Sequence, residues 1–238
     1  MSGVSALATA FQRMASRSTS GGSSSAGRAA RSGFLGAMVV AVLGACSVLP
    51  DAEPVTMYQL PTARPSIPAG TGPDAASTAR SRADWSLRVV KPASSAVTDS
   101  PRILVLRESN QVNAYQAVRW SDPAPALWRN RLTAAFVDDG RIGALSTDDA
   151  PAHADLELAG DLRSFQVEYQ GAQPVVALRL DARLVRTGTR RIVASRSFMV
   201  MQPVSGSKVP EVVTAFGQAA DALSAQVVDW TLTQAPVR

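Results

Sequence analysis

The sequence is poor in cysteine and histidine, and this scarcity excludes several kinds of site. Its 238 residues include one cysteine, Cys46, and one histidine, His153. A single cysteine cannot form an intramolecular disulfide, and these two residues are too few for a structural zinc site, which takes four Cys or His ligands. The sequence also has no Walker loop and no Gly-x-Gly-x-x-Gly signature, so it lacks the common signals of nucleotide binding.

Acidic residues are missing from the N-terminal part of the chain. Residues 1–45 contain four arginines and no acid, and they carry most of the net charge of +5. The remaining chain has 20 basic and 19 acidic residues, mixed without a basic stripe. The pI of 10.1 therefore does not indicate nucleic-acid binding. With 46% hydrophobic and 18% charged residues, the composition predicts a globular protein.

Long hydrophobic runs are also lacking, but a short one has the layout of a secretory signal. Residues 33–45 are uncharged and mostly apolar, and Arg28 and Arg31 precede them. Thirteen residues are fewer than the roughly 20 that a transmembrane helix needs. Because the segment before this run is long for a signal, Met14 is an alternative start to Met1. The pattern predicts a signal peptide over residues 1–45.

The end of this run resembles the lipobox of bacterial lipoproteins. Leu43-Gly44-Ala45 precedes Cys46, so cleavage before Cys46 and acylation of that residue are expected. The alternative is an ordinary signal peptide followed by a chance cysteine. Several acyl chains of the palmitate type would give stable anchoring, since each buried CH₂ contributes about 0.8 kcal/mol. In lipoproteins of bacteria with two membranes an Asp after the cysteine favours inner-membrane retention. Ser47 therefore favours the periplasmic face of the outer membrane.

The mature chain is predicted to hold one domain. Residues 46–54 form the lipidated tether, residues 61–84 a proline-rich loop, and residues 55–235 the folded unit. Alternating apolar residues from 155 to 201 predict an antiparallel meander of three strands with a bulge near Arg163. Two further strands and an extended piece, residues 57–60, precede it. Apolar residues at helical spacing predict helices from about 121 to 138 and 208 to 232, with Ser207 capping the second.

This order of elements predicts an α/β domain with a mixed, largely antiparallel sheet flanked by helices, because each helix must bury its apolar stripe against a sheet.

Few residues qualify as catalytic or metal-binding groups. His153 is the one candidate general base, but no serine lies in a Gly-x-Ser-x-Gly elbow, and a solvated loop histidine is the simpler interpretation. The pairs Asp138-Asp139 and Asp148-Asp149 are adjacent in sequence, so their side chains point differently and form no carboxylate dyad. Asp148-Asp149 could bind a cation weakly, although solvated loops are the simpler interpretation for both pairs.

One cluster suggests an interaction surface. Tyr115, Arg119 and Trp120 lie within six residues, just before a predicted helix start at Pro123. Tyr, Arg and Trp are the usual anchors of protein interfaces, so the cluster is a candidate partner surface. The alternative is a strand or turn whose aromatic residues cover the edge of the core.

The chain resembles the ABC-type transport auxiliary lipoproteins, also known as the C component of paraquat-inducible systems. Weak matches occur in the family's order, and together they are fairly specific. These matches are the lipobox at Cys46, Tyr58–Leu60, Leu87–Val89, Ile103–Arg107, the segment from Tyr115 to Pro123, Ala154–Leu158, Ser195–Phe198 and a closing helix ending at Trp230. Two segments depart from the family's usual pattern, namely residues 92–102 and the long proline-rich stretch.

The resemblance implies a periplasmic αβα domain similar to anticodon-binding folds, and a function. It implies a non-catalytic auxiliary subunit of a lipid transporter that comprises an ATPase, a permease and a periplasmic mammalian-cell-entry (MCE) protein. A ring of copies of this chain would suit such a partner. No metal or cofactor is expected beyond the covalent lipid on Cys46. The alternatives are a periplasmic lipid or small-molecule carrier, an envelope-assembly scaffold and, least favoured, an enzyme using His153.

Overall fold

The computed structural model describes residues 54–62, 82–107, 110–171 and 173–235. The predicted signal peptide, Cys46 and most of the predicted proline-rich loop lie outside these residues. The described residues form nine strands and two helices: β1 Thr56–Tyr58, β2 Ala83–Val89, β3 Leu104–Leu106, β4 Val112–Ala114, β5 Val118–Trp120, α1 Ala124–Asp139, β6 Ile142–Thr147, β7 Leu156–Gln170, β8 Gln173–Arg186, β9 Arg191–Pro203 and α2 Val209–Gln234.

The sheet is organised around the long strand β7. Along its whole length β7 pairs antiparallel with β8, and β8 pairs antiparallel with β9, which confirms the predicted meander. On its other side β7 pairs in parallel with β2 near its start, at Leu156–Leu158, and with β3 near its end, at Gln166–Glu168. The pairing register of β7 and β8 shifts between Leu162 and Ser164, as the slip in the alternation predicts.

The outer strands complete two sheets. β6 pairs in parallel with β2, and β4 pairs antiparallel with β3. A separate two-stranded parallel sheet joins β1 to β5, with Met57 opposite Arg119. Residues 54–62, which contain β1, are called the strap below. This N-terminal segment lies against parts of the domain that come much later in the sequence, such as β5.

The helix boundaries follow local signals, with one correction. α1 begins after Pro123 and ends at Gly140, whose φ of 72° lies in the left-handed region that glycine adopts without strain. α2 has Lys208 as its N-cap residue, so the predicted Ser207 cap is wrong. The Glu211 carboxylate accepts a hydrogen bond of 2.8 Å from the Lys208 backbone N–H. An acidic side chain in the first turn thus accepts a hydrogen bond from a backbone N–H at the start of the helix.

Both helices pack against the same face of the sheet. They contact each other, with Arg131 of α1 paired to Asp221 of α2, and their buried residues belong to one hydrophobic core. The predicted α/β class with a mixed, largely antiparallel sheet is confirmed. The described residues have two layers, whereas the αβα sandwich implied by the resemblance would place helices on both faces.

The opposite face of the meander carries ion pairs between neighbouring strands. Arg163 pairs with Asp181, Arg183 with Asp161, and Arg179 with Glu168. The Arg179–Glu168 pair is bidentate, with distances of 2.6 and 3.0 Å between guanidinium nitrogens and carboxylate oxygens. This hydrogen bonding lowers the pKa of Glu168 below its ordinary value of 4.5.

Glu168 should therefore contribute an acid-sensitive part of the stability. A carboxyl whose pKa is lowered by folding stabilises the protein above its unfolded pKa, and the contribution disappears as pH falls through the folded pKa. Glu168→Gln is expected to lower the free energy of unfolding by about 1–2 kcal/mol at pH 7. The difference from wild type should shrink as pH drops below 4.5. Urea unfolding from pH 7 to pH 3 measures both effects.

The matched control is Asp84→Asn, because Asp84 is exposed and makes no ion pair with another described residue. This variant should follow the wild-type pH profile. If Glu168→Gln also followed the wild-type pH profile, the acid-sensitive contribution assigned to Glu168 would be contradicted.

Candidate functional site

The predicted cluster lies where β4 turns into β5. Tyr115 is half-buried, and its backbone N–H donates to the carbonyl of Ile103 at 3.1 Å. Ala117 has a φ of 54°, a left-handed conformation that is unfavourable for a residue with a Cβ. The Ala117 carbonyl accepts a hydrogen bond of 2.9 Å from Thr56 of the strap. Arg119 is exposed on β5. The turn thus connects the strap, β4 and β5 at one place.

Trp120 lies in the core, which corrects the prediction that it belongs to a partner surface. Its side chain is fully buried and packs edge-on against Phe165 at 6.0 Å and Phe216 at 5.1 Å between ring centroids. Successive residues of a strand point to opposite faces, so the exposed Arg119 requires an inward Trp120. The alternative interpretation, in which an aromatic residue covers the core, holds for Trp120.

Tyr115 and Arg119 line an open groove of about 860 Å³. Its walls come from the strap, the loop between β2 and β3, the start of β3, strand β4 and the turn into β5. The lining residues are Val55, Ala96, Val97, Ser100, Pro101, Arg102, Leu104, Val112, Asn113, Ala114, Tyr115, Gln116, Ala117, Val118 and Arg119. The groove therefore joins segments that are more than 60 residues apart in the sequence.

The groove exposes apolar side chains from three of these segments. Val55, Val97 and Val112 are 51%, 50% and 48% exposed. Isolated exposed valines are ordinary, but these three line one groove. They give that groove apolar surface that another molecule could cover.

Among the described residues, the charged groups that line the groove are cationic. Arg102 and Arg119 line it, both are exposed, and neither makes an ion pair with another described residue. None of the described lining residues carries a carboxylate. The groove is therefore electrostatically suited to an anionic group, and the planar guanidinium can bind a carboxylate or phosphate with two hydrogen bonds.

Tyr115 supplies a neutral hydroxyl at the groove. Burial raises the pKa of Tyr115 to about 12, and a hydrogen bond and the nearby phenol of Tyr169 act in the same direction. The hydroxyl therefore stays protonated at neutral pH and can donate or accept a hydrogen bond. It is poorly suited to act as a general base.

The loop between β2 and β3 forms a wall fixed by its own hydrogen bonds. The hydroxyls of Ser95 and Thr98 lie 3.1 Å apart, and the Ser100 hydroxyl donates to the Val97 carbonyl at 2.7 Å. The Pro101 carbonyl accepts a hydrogen bond of 2.7 Å from the Trp120 backbone N–H, which joins the loop to β5. The wall is thus tied to the strand that carries Arg119.

The strap packs against α2. A Cβ added to Gly217 of α2 would lie 2.6 Å from the carbonyl oxygen and 2.8 Å from Cγ of Pro61. The strap therefore crosses α2 at a point where only glycine fits. Because Val55 is part of the strap, this contact also positions one apolar wall of the groove.

Gly217→Ala should displace the strap. In a helix this change normally stabilises by about 1 kcal/mol, because glycine is a poor helix former. Here we expect the overlap with Pro61 to reverse the sign and to lower the free energy of unfolding by about 1–2 kcal/mol. Guanidinium unfolding measures the sign, and limited proteolysis should cut the variant faster near residue 61. A more stable variant with unchanged proteolysis would contradict the contact.

The other sequence candidates lie elsewhere in the fold. His153 is exposed in the loop before β7. Asp148 and Asp149 are exposed after β6. Both form ion pairs with the buried Arg129 of α1, so the interpretation as purely solvated loop residues is wrong for this pair. This pairing raises the pKa of Arg129 and lowers that of Asp149.

The second acidic pair lies at the end of α1. Asp138 and Asp139 are its last two residues, and Arg141 pairs with Asp139 at 2.6 Å. Among the residues that the structure describes, no group of three His, Cys, Asp or Glu could hold a metal ion. Over the same residues, no helix has the length and apolarity needed to cross a membrane.

Comparison with known proteins decides the family. The family model described as the ABC-type transport auxiliary lipoprotein component matches residues 67–228, more than half of the chain. The chain belongs to this family. The resemblance found in the sequence is thereby confirmed, and membership of a lipoprotein family places the chain in the cell envelope. An auxiliary transport component is also the role that the family description gives.

Solved structures agree with the fold. A crystal structure of a Xanthomonas campestris protein is 30% identical, covers 76% of this chain and 96% of its own, and superposes with a TM-score of 0.66. A second crystal structure, of an uncharacterized protein, is 17% identical and covers 75% of this family member and 99% of its own chain, with a TM-score of 0.56. The second likeness concerns the fold alone. No curated protein matches the chain in sequence.

Proposed function

We propose that this auxiliary lipoprotein is a non-catalytic subunit of an MCE-type ABC lipid transport system. Cys46 anchors it to the periplasmic face of the outer membrane, and its groove docks the periplasmic MCE protein, which works with a permease and an ATPase. The family match supports a transport role. The observation that carries the docking role is the open groove, which has three half-exposed valines and two arginines that form no ion pair with any other described residue.

The chemistry of the groove supports binding rather than bond cleavage. Its polar side chains are guanidinium, amide and hydroxyl groups, and the pKa of Tyr115 is raised to about 12. Such groups form hydrogen bonds and ion pairs but do not exchange protons readily at neutral pH. Exposed Arg and Tyr beside apolar side chains are the composition of interface anchors.

Chain connectivity supports a groove close to the anchor. Val55, which lines the groove, follows Cys46 by nine positions in the sequence. A fully extended chain of that length spans roughly 30 Å. The groove therefore stays near the membrane in which the acyl chains insert, where a partner that bridges the two membranes would end.

The test is a pull-down from membranes with wild type and Cys46→Ala, with partners identified by mass spectrometry. Wild type should carry acyl chains, sediment with the outer membrane and recover an MCE protein with its permease and ATPase. Cys46→Ala should lose the acyl mass and appear in the soluble periplasmic fraction. Recovery of an outer-membrane barrel instead would favour an envelope-assembly scaffold, and recovery of no transport component would reject the transport role.

A second candidate is a lipid carrier, and the size of the groove favours it. A volume of about 860 Å³ lies within the range of roughly 300–1,000 Å³ typical of small-molecule sites. A carrier should retain phospholipid at one equivalent after purification without its anchor. Solvent extraction and mass spectrometry of the Cys46→Ala protein measure this. A lipid-free protein that still recovers the MCE partner would reject the carrier.

A further inference from the structure

The strand β4 has one paired and one open edge among the described residues. On one side it pairs antiparallel with β3. Arg107 N–H donates to the Gln111 carbonyl and Tyr115 N–H to the Ile103 carbonyl, each at 3.1 Å. Pairs of an antiparallel ladder alternate between hydrogen-bonded and non-hydrogen-bonded positions. Residues 111, 113 and 115 therefore bond to β3, and the backbone groups of Val112 and Ala114 point away from it.

This alternation agrees with the other side of the same ladder. Leu104 and Leu106 are opposite Ala114 and Val112, and both belong to the non-hydrogen-bonded pairs. Their backbone groups must also point away from the β3–β4 ladder, and β3 uses that side to pair with β7. The phase set by the two hydrogen bonds is therefore consistent with the pairing of β3 on both of its sides. The free edge of β4 offers two N–H and two C=O groups.

The open edge lies along the groove. Val112, Asn113 and Ala114, which are all of β4, line it. The Val112 side chain is half-exposed there, and Val97 stands on the loop wall. Arg102 and Arg119 line the same groove and have no ion-pair partner among the described residues. Backbone hydrogen-bonding groups, apolar side chains and positive charge therefore occur together.

We propose that the groove receives an extended segment of the transport partner, which adds to the sheet as a short strand beside β4. The segment carries Asp or Glu side chains for Arg102 and Arg119, and apolar side chains that pack against Val97 and Val112. Backbone hydrogen bonds give such a complex its affinity, and the alternating side chains give its specificity. This inference rests on the proposed function, since it names the chemistry of the partner at the same groove.

The main alternative occupant is an anionic phospholipid. Its phosphate would satisfy the two arginines and its acyl chain would cover the valines, but it would leave the backbone edge of β4 unused. A peptide strand uses all three features. The role of the Val112 N–H therefore distinguishes the two occupants.

A photo-crosslinking amino acid locates the occupant. Benzoylphenylalanine replaces Val97 in the full lipoprotein, produced in cells that carry the transport system, and replaces Met199 in the control. Met199 is 58% exposed on β9, away from the groove residues. We expect Val97 to crosslink to one segment of the MCE partner that contains Asp or Glu, and Met199 not to do so.

Two changes in the Val97-crosslinking protein test the mode of binding. Val112→Pro removes the N–H that points away from β3, so it preserves the β3–β4 hydrogen bonds. Val112→Thr keeps that N–H and is the matched control. We expect Val112→Pro and the Arg102→Glu/Arg119→Glu double variant each to lower the crosslink yield at least fivefold, and Val112→Thr to retain it. Thermal unfolding confirms that each protein is folded.

The outcomes separate this inference from the proposed function. Crosslinks that go to phospholipid, or that survive Val112→Pro, overturn the added strand even if the MCE partner still co-purifies. The inference is supported if the Val97 crosslink to the MCE partner is lost in Val112→Pro and in the arginine double variant but retained in Val112→Thr. Met199 should give no crosslink to that partner, and co-purification should weaken only in the groove variants. Absence of any transport component from the wild-type preparation overturns both.

Discussion

Trp120→Ala is expected to lower the free energy of unfolding by about 3–5 kcal/mol, the largest loss of any single truncation in the cluster before α1. Trp120 is fully buried and contacts Phe165 of β7 and Phe216 of α2. Phe165 and Phe216 also stack on each other at 4.9 Å. Alanine would leave a cavity where β5, the central strand and the long helix meet. Urea unfolding measures the loss, with far-UV circular dichroism as the probe, because this backbone signal does not rely on tryptophan fluorescence.

Two variants give this prediction its controls. Trp120→Phe keeps most of the apolar volume and removes an indole N–H that has no acceptor among the described residues, so it should lose much less stability. Arg119→Ala changes an exposed neighbour and should stay within about 0.5 kcal/mol of wild type. Equal losses for Trp120→Ala and Arg119→Ala would contradict the core position of Trp120.

Gly160→Ala is expected to lower the free energy of unfolding by about 2–3 kcal/mol. Gly160 lies in β7 opposite Ala182, and an added Cβ would overlap the backbone carbonyl oxygen of Asp181 and lie 3.3 Å from the Cα of Ala182. Neither neighbour can rotate away, because both atoms belong to the backbone of β8. The two strands would have to separate in the middle of the longest ladder of the sheet.

Gly143→Ala is the matched control for this substitution. Gly143 is exposed in β6, and an added Cβ would meet no heavy atom within 4 Å. We expect its free energy of unfolding to stay within about 0.5 kcal/mol of wild type. Similar losses at the two glycines would indicate a general intolerance of the sheet rather than close contact at Gly160.

The meander and the helices could be predicted because their signals are local. Alternation along β7, β8 and β9 marks which residues face the core, and the slip near Arg163 marks the bulge. The strands β4, β5 and β6 could not be predicted in this way. β4 and β5 have three residues each, too few to establish a period of two. The parallel pairing of β2 with β6 depends on contacts between distant segments.

The groove was only partly predictable for the same reason. Residue type alone pointed to Tyr115, Arg119 and Trp120. It could not tell that Arg119 and Trp120 occupy opposite faces of β5, and Trp120 was therefore assigned to the wrong side. Val55, Val97 and Arg102 carry no local signal of binding. They become part of one surface only because the strap pairs with β5 and the loop before β3 is tied to it.

The proposed function requires the groove of this lipoprotein to bind the transport partner. Its most direct test is the recovery of MCE protein, permease and ATPase by wild type and by Arg102→Glu/Arg119→Glu. The control, Arg190→Glu/Arg191→Glu, reverses two exposed arginines at the turn into β9. We predict at least a tenfold loss for the groove variant and none for the control. Undiminished recovery by a folded, membrane-bound groove variant would contradict the claim.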